Sequence, residues 1–141
     1  MSMILLDTDH LSILRGDGSE RRTRLVTRMA ALAVGVVGTT IVTVEEQMRG
    51  WLASIAKERQ SRRQVSPYDE LIRLFDFFGG YFIVRFDHVA ADLFDSYSRI
   101  RIGTADRKIA AIALANNALL LTANRRDYER IPGLRFENWL D

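Results

Sequence analysis

The chain has 141 residues, 48% of them apolar and 27% charged, with two prolines and no cysteine; that composition gives one globular domain with a real core and excludes a disordered polymer, a collagen-like repeat and a disulfide-stapled scaffold. With no cysteine, and with His10 and His88 as the only histidines, zinc ribbons, iron–sulfur centres and thiol nucleophiles drop out, and a histidine-rich metal site is disfavoured. The net charge is only +2, but all of the 20 basic residues except Lys57 and Lys108 are arginine, whose planar fork suits phosphate and carboxylate; RNA, DNA or an acidic protein fits this bias, and so does a GC-rich genome that writes Arg for Lys.

Ile4-Leu5-Leu6 reads as a short buried strand that runs into Asp7. Asp9 can cap a short helix to about residue 15, stopped by Gly16 and Gly18. The spacing of Leu25, Met29 and Leu32 predicts a helix over 20–33, with Arg21, Arg24 and Arg28 on its opposite face. Residues 36–43 are rich in Val, Ile and Thr and read as a second buried strand. A long helix over 44–63 follows, with Met48, Trp51, Leu52 and Ile55 as its apolar stripe. Ser66-Pro67 marks the next helix start; Leu71, Leu74, Phe75 and Phe78 form its core face and Gly79-Gly80 ends it. Residues 81–86 give a third strand, and Asp87 caps a helix that buries Ala90, Leu93, Phe94 and Tyr97. A helix over 105–116 leads to a fourth strand at 119–122 and a last one near 134–137. Short apolar strands separated by whole helices imply an α/β fold: a three-layer α/β/α sandwich around a parallel sheet of four to five strands, one domain over 1–141. The longest apolar run, 29–38, is too short to span a bilayer, and the opening residues lack a signal peptide's basic stretch, so the chain reads as cytoplasmic.

Four acids fall just past strand ends or at helix starts: Asp7, Glu46, Asp106 and Asp127. In an open parallel sheet that edge is the ligand crevice. Each has a structural reading. Thr43-Val44-Glu45-Glu46 has the form of a capping box, and Asp106 suits a helix N-terminus. Asp7 is harder to explain that way, because an acid directly after a buried strand is costly without compensation. Two carboxylates about 4 Å apart repel by roughly 4 kcal/mol at an effective dielectric near 20. A converging set therefore needs protons, cationic side chains or a metal, and oxygen-only ligation suits Mg²⁺ or Mn²⁺. Carboxylates, arginine and a hard metal together point to phosphodiester hydrolysis.

Leu5-Leu6-Asp7-Thr8-Asp9-His10-Leu11-Ser12, Thr43-Val44-Glu45-Glu46 with Gly50, Ile102-Gly103-Thr104-Ala105-Asp106-Arg107-Lys108 and Leu121-Thr122-Ala123-Asn124-Arg125-Arg126-Asp127-Tyr128 stand in order along the chain. Together with Ile131-Pro132-Gly133-Leu134 and Glu137-Asn138-Trp139 they resemble the motifs of PIN-domain ribonucleases of the VapC toxin family. The resemblance covers essentially the whole chain. It implies a magnesium-dependent endoribonuclease, with transfer RNA among its candidate substrates, held in check by a VapB-like antitoxin. It also implies a homodimer. Asp7, Asp106 and Glu46 would hold Mg²⁺ or Mn²⁺, and Asp127 would complete the catalytic set. Glu45 competes with Glu46, and Asn124 with Asp127. Asn124, Arg125, Arg126 and Arg107 are candidates for substrate contacts, and Arg21, Arg24 and Arg28 for phosphate contacts.

The aromatic stretch from 68 to 86 holds more apolar surface than one core needs; Ile72 and Phe77 lie off the main stripe. Ordinary core under a bent helix, a dimer face or an antitoxin groove would each absorb it. Two other functions fit parts of the pattern. A haloacid-dehalogenase-like phosphatase shares the strand running into Asp7 and Asp9, but would want Thr or Val at Leu11 and a suitably placed Lys. A catalytically silent binding module of the same fold is the non-enzymatic alternative, against which stands an acid at all four positions.

Overall fold

Residues 3–16, 18–33 and 35–141 are described by the computed structural model; Met1 and Ser2, read above for a signal segment, and Val34 of the apolar run lie outside the described residues, as does Asp17. Five strands, β1 (Ile4–Leu6), β2 (Val37–Thr40), β3 (Phe82–Val84), β4 (Leu119–Leu121) and β5 (Arg135–Glu137), pair in the order β3-β2-β1-β4-β5, every neighbour parallel. The helices are α1 (Thr8–Arg15), α2 (Glu20–Ala30), α3 (Ile41–Lys57), α4 (Ser61–Phe78), α5 (His88–Ser96), α6 (Thr104–Ala115) and the single turn α7 (Arg125–Tyr128). Alternation along β1 and β4 divides the core. Leu5 and Leu120 pack with Ala90, Ile109, Ile112 and Tyr128 under α5 and α6. Ile4, Leu6 and Leu121 pack with Leu11, Leu25, Leu74 and Phe78 under α1, α2 and α4. Each such buried side chain contributes about 1.5–3 kcal/mol. The result is the expected three-layer sandwich, and among the described residues no helix is long and apolar enough to cross a membrane.

Glycine is required where β2 meets β3. Gly38 pairs with Phe82, and a Cβ there would stand 2.4 Å from the Phe82 ring and 2.5 Å from its carbonyl oxygen.

Among the boundaries that differ from the sequence expectation, three have a visible cause. The second strand ends at Thr40, not at 43. The Thr40 hydroxyl accepts the Thr43 N–H at 3.0 Å and caps α3, so a β-branched run with strand propensity turns helical and Thr43 heads no capping box. The first helix is capped by Asp7, not Asp9, which lies inside its first turn. The third boundary is the break in the helical hairpin. It falls between α3 and α4, ahead of Ser66-Pro67, leaving Pro67 inside α4. The Gln64 side-chain amide donates to the carbonyls of Ile55 (3.1 Å), which also accepts the Glu58 N–H, and Glu58 (2.9 Å), beyond the last turn of α3.

Candidate active site

Strand order reverses between β1 and β4, where a parallel sheet opens a crevice beyond its carboxyl ends. Asp7 stands there as β1 ends, its main-chain N–H donating to the Leu121 carbonyl at 2.9 Å. Its side chain is buried. One carboxylate oxygen accepts the Thr8 N–H at 2.8 Å and the other the Thr122 hydroxyl at 2.8 Å, which ties the ends of β1 and β4 together. Asp106 comes from the first turn of α6. It accepts the Tyr128 hydroxyl at 3.3 Å, and its other oxygen faces the Asn124 amide nitrogen at 3.5 Å. The same amide donates to Asp127 at 3.2 Å, so Asn124 and Asp127 do not exclude one another: Asn124 bridges the two acids. Glu46, on the second turn of α3, is half-buried and faces Asp106, whereas Glu45 is exposed and pairs with Arg49 at 2.5 Å.

The electrostatics follow from this crowding. Burial pushes the Asp7 carboxyl up to about 6; the charges of Asp9 and Asp106 add, while the Thr8 N–H and the Thr122 hydroxyl oppose. Burial raises Asp106 as well, with the charges of Asp127 and Asp9 adding and the Tyr128 hydroxyl opposing. Glu46 is raised by burial and then by Asp106. Asp9 goes the other way: burial opposes ionisation, but hydrogen bonds from His10 and the Ala123 N–H hold it below the usual range. The Tyr128 phenol, buried beside Asp7 and Asp106, is pushed up and stays protonated as a donor. The Thr8 hydroxyl is buried and meets no partner at full hydrogen-bonding geometry, although it lies near enough to Glu46 to favour that acid's ionised form. Among the described residues no three acids are grouped to hold one ion as they stand. The donor chemistry nevertheless suits a hard divalent cation: oxygen ligands only, carboxyls that resist ionising unaided, and a spare hydroxyl beside them.

The arginines divide differently from expectation. Arg21 pairs with Asp141 at 3.1 Å, Arg24 donates to the Leu140 carbonyl at 3.1 Å, and the Arg28 guanidinium lies 4.2 Å from the Trp139 ring centre. The α2 stripe therefore fastens the segment after β5. Arg107 lies 3.8 Å over the Phe94 ring, turned toward α5. Arg125 and Arg126 are exposed on α7, and Arg125 lines a cleft of about 610 Å³ that adjoins Thr122 and Ala123. Glu129, Glu137 and Asp141 also line that cleft, each beside an arginine: Arg125, Arg28 and Arg21 in turn. Sequence reading missed Thr122 and Tyr128, which hold Asp7 and Asp106. A threonine at a strand end and a buried tyrosine carry no mark that separates them from ordinary core residues.

A parallel sheet with acids gathered at its switch point defines a class, and comparison with known proteins makes it specific. Residues 4–134 match the family model of the PIN domain, and the chain belongs to that family. A segment of 38 residues is 50% identical to Ribonuclease VapC2 of Rickettsia felis, spanning 27% of this chain and 28% of that protein's length. The fold is shared with the crystal structure of DNA-bound VapBC from Salmonella typhimurium (TM-score 0.76, 23% identity, 99% of each chain). It is shared too with VapBC-1 from nontypeable Haemophilus influenzae (TM-score 0.79, 18% identity, 99% of each chain).

Proposed function

We propose that the chain is a divalent-metal-dependent endoribonuclease that hydrolyses RNA phosphodiester bonds, the toxin half of a toxin–antitoxin pair. The observation that carries this reading is the set of three buried or half-buried carboxyls, Asp7, Asp106 and Glu46, all raised and all at the switch point. Such a set is costly unless its task is to hold positive charge. Asp7, Asp106 and Glu46 would hold Mg²⁺ or Mn²⁺, with Thr8 beside them. A cation of that kind supplies Lewis-acid stabilisation to the charge that builds on an attacked phosphodiester. Glu46 is raised by burial and by the charge of Asp106, so it ionises at a cost that a bound cation would offset. Asp127, through Asn124, keeps Asp106 oriented. Arg125 and Arg126, exposed on α7 directly after Asn124, are the candidates for phosphate contacts. The likeness to Ribonuclease VapC2 of Rickettsia felis and to the toxin chains of VapBC complexes supports ribonuclease activity and a VapB-like antitoxin partner.

A partner surface supports the same reading. Val65, Tyr68, Ile72 and Phe75 lie at helical spacing on one exposed face of α4; Phe75, expected in the core, is 64% exposed. A face of that kind suits a protein partner, and we assign it to a second copy of the chain, with the antitoxin as the alternative occupant.

Cleavage of end-labelled cellular RNA by purified, antitoxin-free protein tests the proposal, with Mg²⁺ or Mn²⁺ added, with EDTA, and with Asp7→Asn. Discrete fragments that require both the metal and Asp7 are expected. Folded protein that leaves the RNA intact under all conditions would move the reading to a silent binding module.

A further inference from the structure

His10 is wholly buried, yet both of its ring nitrogens are used. Nε2 accepts the main-chain N–H of Trp139 at 3.1 Å, so it carries the lone pair. Nδ1 therefore carries the proton and donates it to Asp9 at 2.6 Å. The other oxygen of Asp9 accepts the Ala123 N–H at 2.8 Å and lies 3.3 Å from the Thr122 hydroxyl. Thr122 in turn donates to Asp7 and accepts the Asn124 N–H at 3.1 Å, and Asn124 bridges Asp106 and Asp127. A continuous line of hydrogen bonds thus runs from the segment after β5, behind the acids, to the loop that meets them. Asp9 stands in the middle of the line as an anion, with His10 on one oxygen and the loop on the other, a charge-assisted arrangement.

We propose that Asp9 and His10 are a positioning pair that holds the loop Thr122-Ala123-Asn124 against Asp7 and Asp106, with the Trp139 N–H fixing His10 from the far side. The pair touches no reacting atom; it acts through Thr122 and Asn124. This inference rests on the nuclease reading for its kinetic consequence but not for its structural one.

Two substitutions separate the arms of the imidazole. His10→Asn keeps a donor where Nδ1 stands and loses the acceptor for Trp139. His10→Gln keeps an acceptor where Nε2 stands and loses the donor to Asp9. Asp9→Asn presents an amide N–H to one of two donors and breaks one arm at the loop. Outer hydrogen-bond partners of this kind are worth about 10- to 100-fold in activity or metal affinity. The expected result is that Asp9→Asn and His10→Gln lower kcat about 10- to 100-fold with little change in KM. His10→Asn is expected to stay roughly tenfold above His10→Gln. Hydrogen exchange at the Ala123 and Asn124 amides should speed up in the same order, and this readout needs no activity. The opposite ranking, with His10→Asn the more damaged and the loop amides unchanged in His10→Gln, would make His10 a tie for the Trp139 segment alone and overturn the proposal. Wild-type protein that cleaves no RNA would sink the nuclease reading, while the exchange order would still decide the role of the pair.

Discussion

Asp7 carries a cost that pH exposes. Its folded carboxyl keeps a proton up to about pH 6, whereas the ordinary value is 3.8. Between those values the folded chain binds more protons than the unfolded chain, so stability falls as pH rises through the window. Above pH 6 the loss is complete, on the order of 3 kcal/mol from this group. In EDTA, Asp7→Asn should therefore be more stable than the wild type at pH 7.5 by up to about 3 kcal/mol, the gap closing as pH falls to 4. Urea unfolding across that range reads it, and a gap that does not change with pH would assign the gain to packing. Added Mn²⁺ should raise wild-type stability at pH 7.5 and leave the variant where it was.

At the scale of elements, one side chain ties the joint of the α3–α4 hairpin. Gln64→Ala leaves the Glu58 carbonyl without its side-chain donor and the Ile55 carbonyl with only the Glu58 N–H, and should cost about 1 kcal/mol in urea unfolding. A smaller change would show that water satisfies both acceptors. This joint also marks what the sequence conceals. Strands β1 and β4 and helix α6 are legible because unbroken apolar runs leave little choice of structure. The motifs around Asp7, Glu46 and Asp106 are legible because acids beside such runs need a reason. The break at 58–60 carries no Gly or Pro, and its cause lies in an amide that reaches back six and nine residues. Pro67, the visible breaker, is accommodated inside α4. Asp9 illustrates the same limit at the site. Its sequence position suits a cap, but its partners, Thr122 and Ala123, lie more than a hundred residues away.

At the scale of the whole molecule, the apolar face of α4 sets an expectation for assembly. Phe75→Ser should leave the fold intact and lower self-association, seen as a shift toward monomer in sedimentation velocity. Unchanged association would leave that face to the antitoxin and place the dimer contact elsewhere. The central pairing of β1 with β4 has a further consequence. Asp7 and the Thr122 that fixes it are separated by 115 residues. A ribosome adding about 5–20 residues per second needs roughly 6–23 s to cover that distance. During that time a nascent chain already exposes its first acid but has no crevice to put it in. The crevice proposed as the active site therefore cannot close until Thr122 has been made, and a partner already present has that whole interval in which to meet the chain.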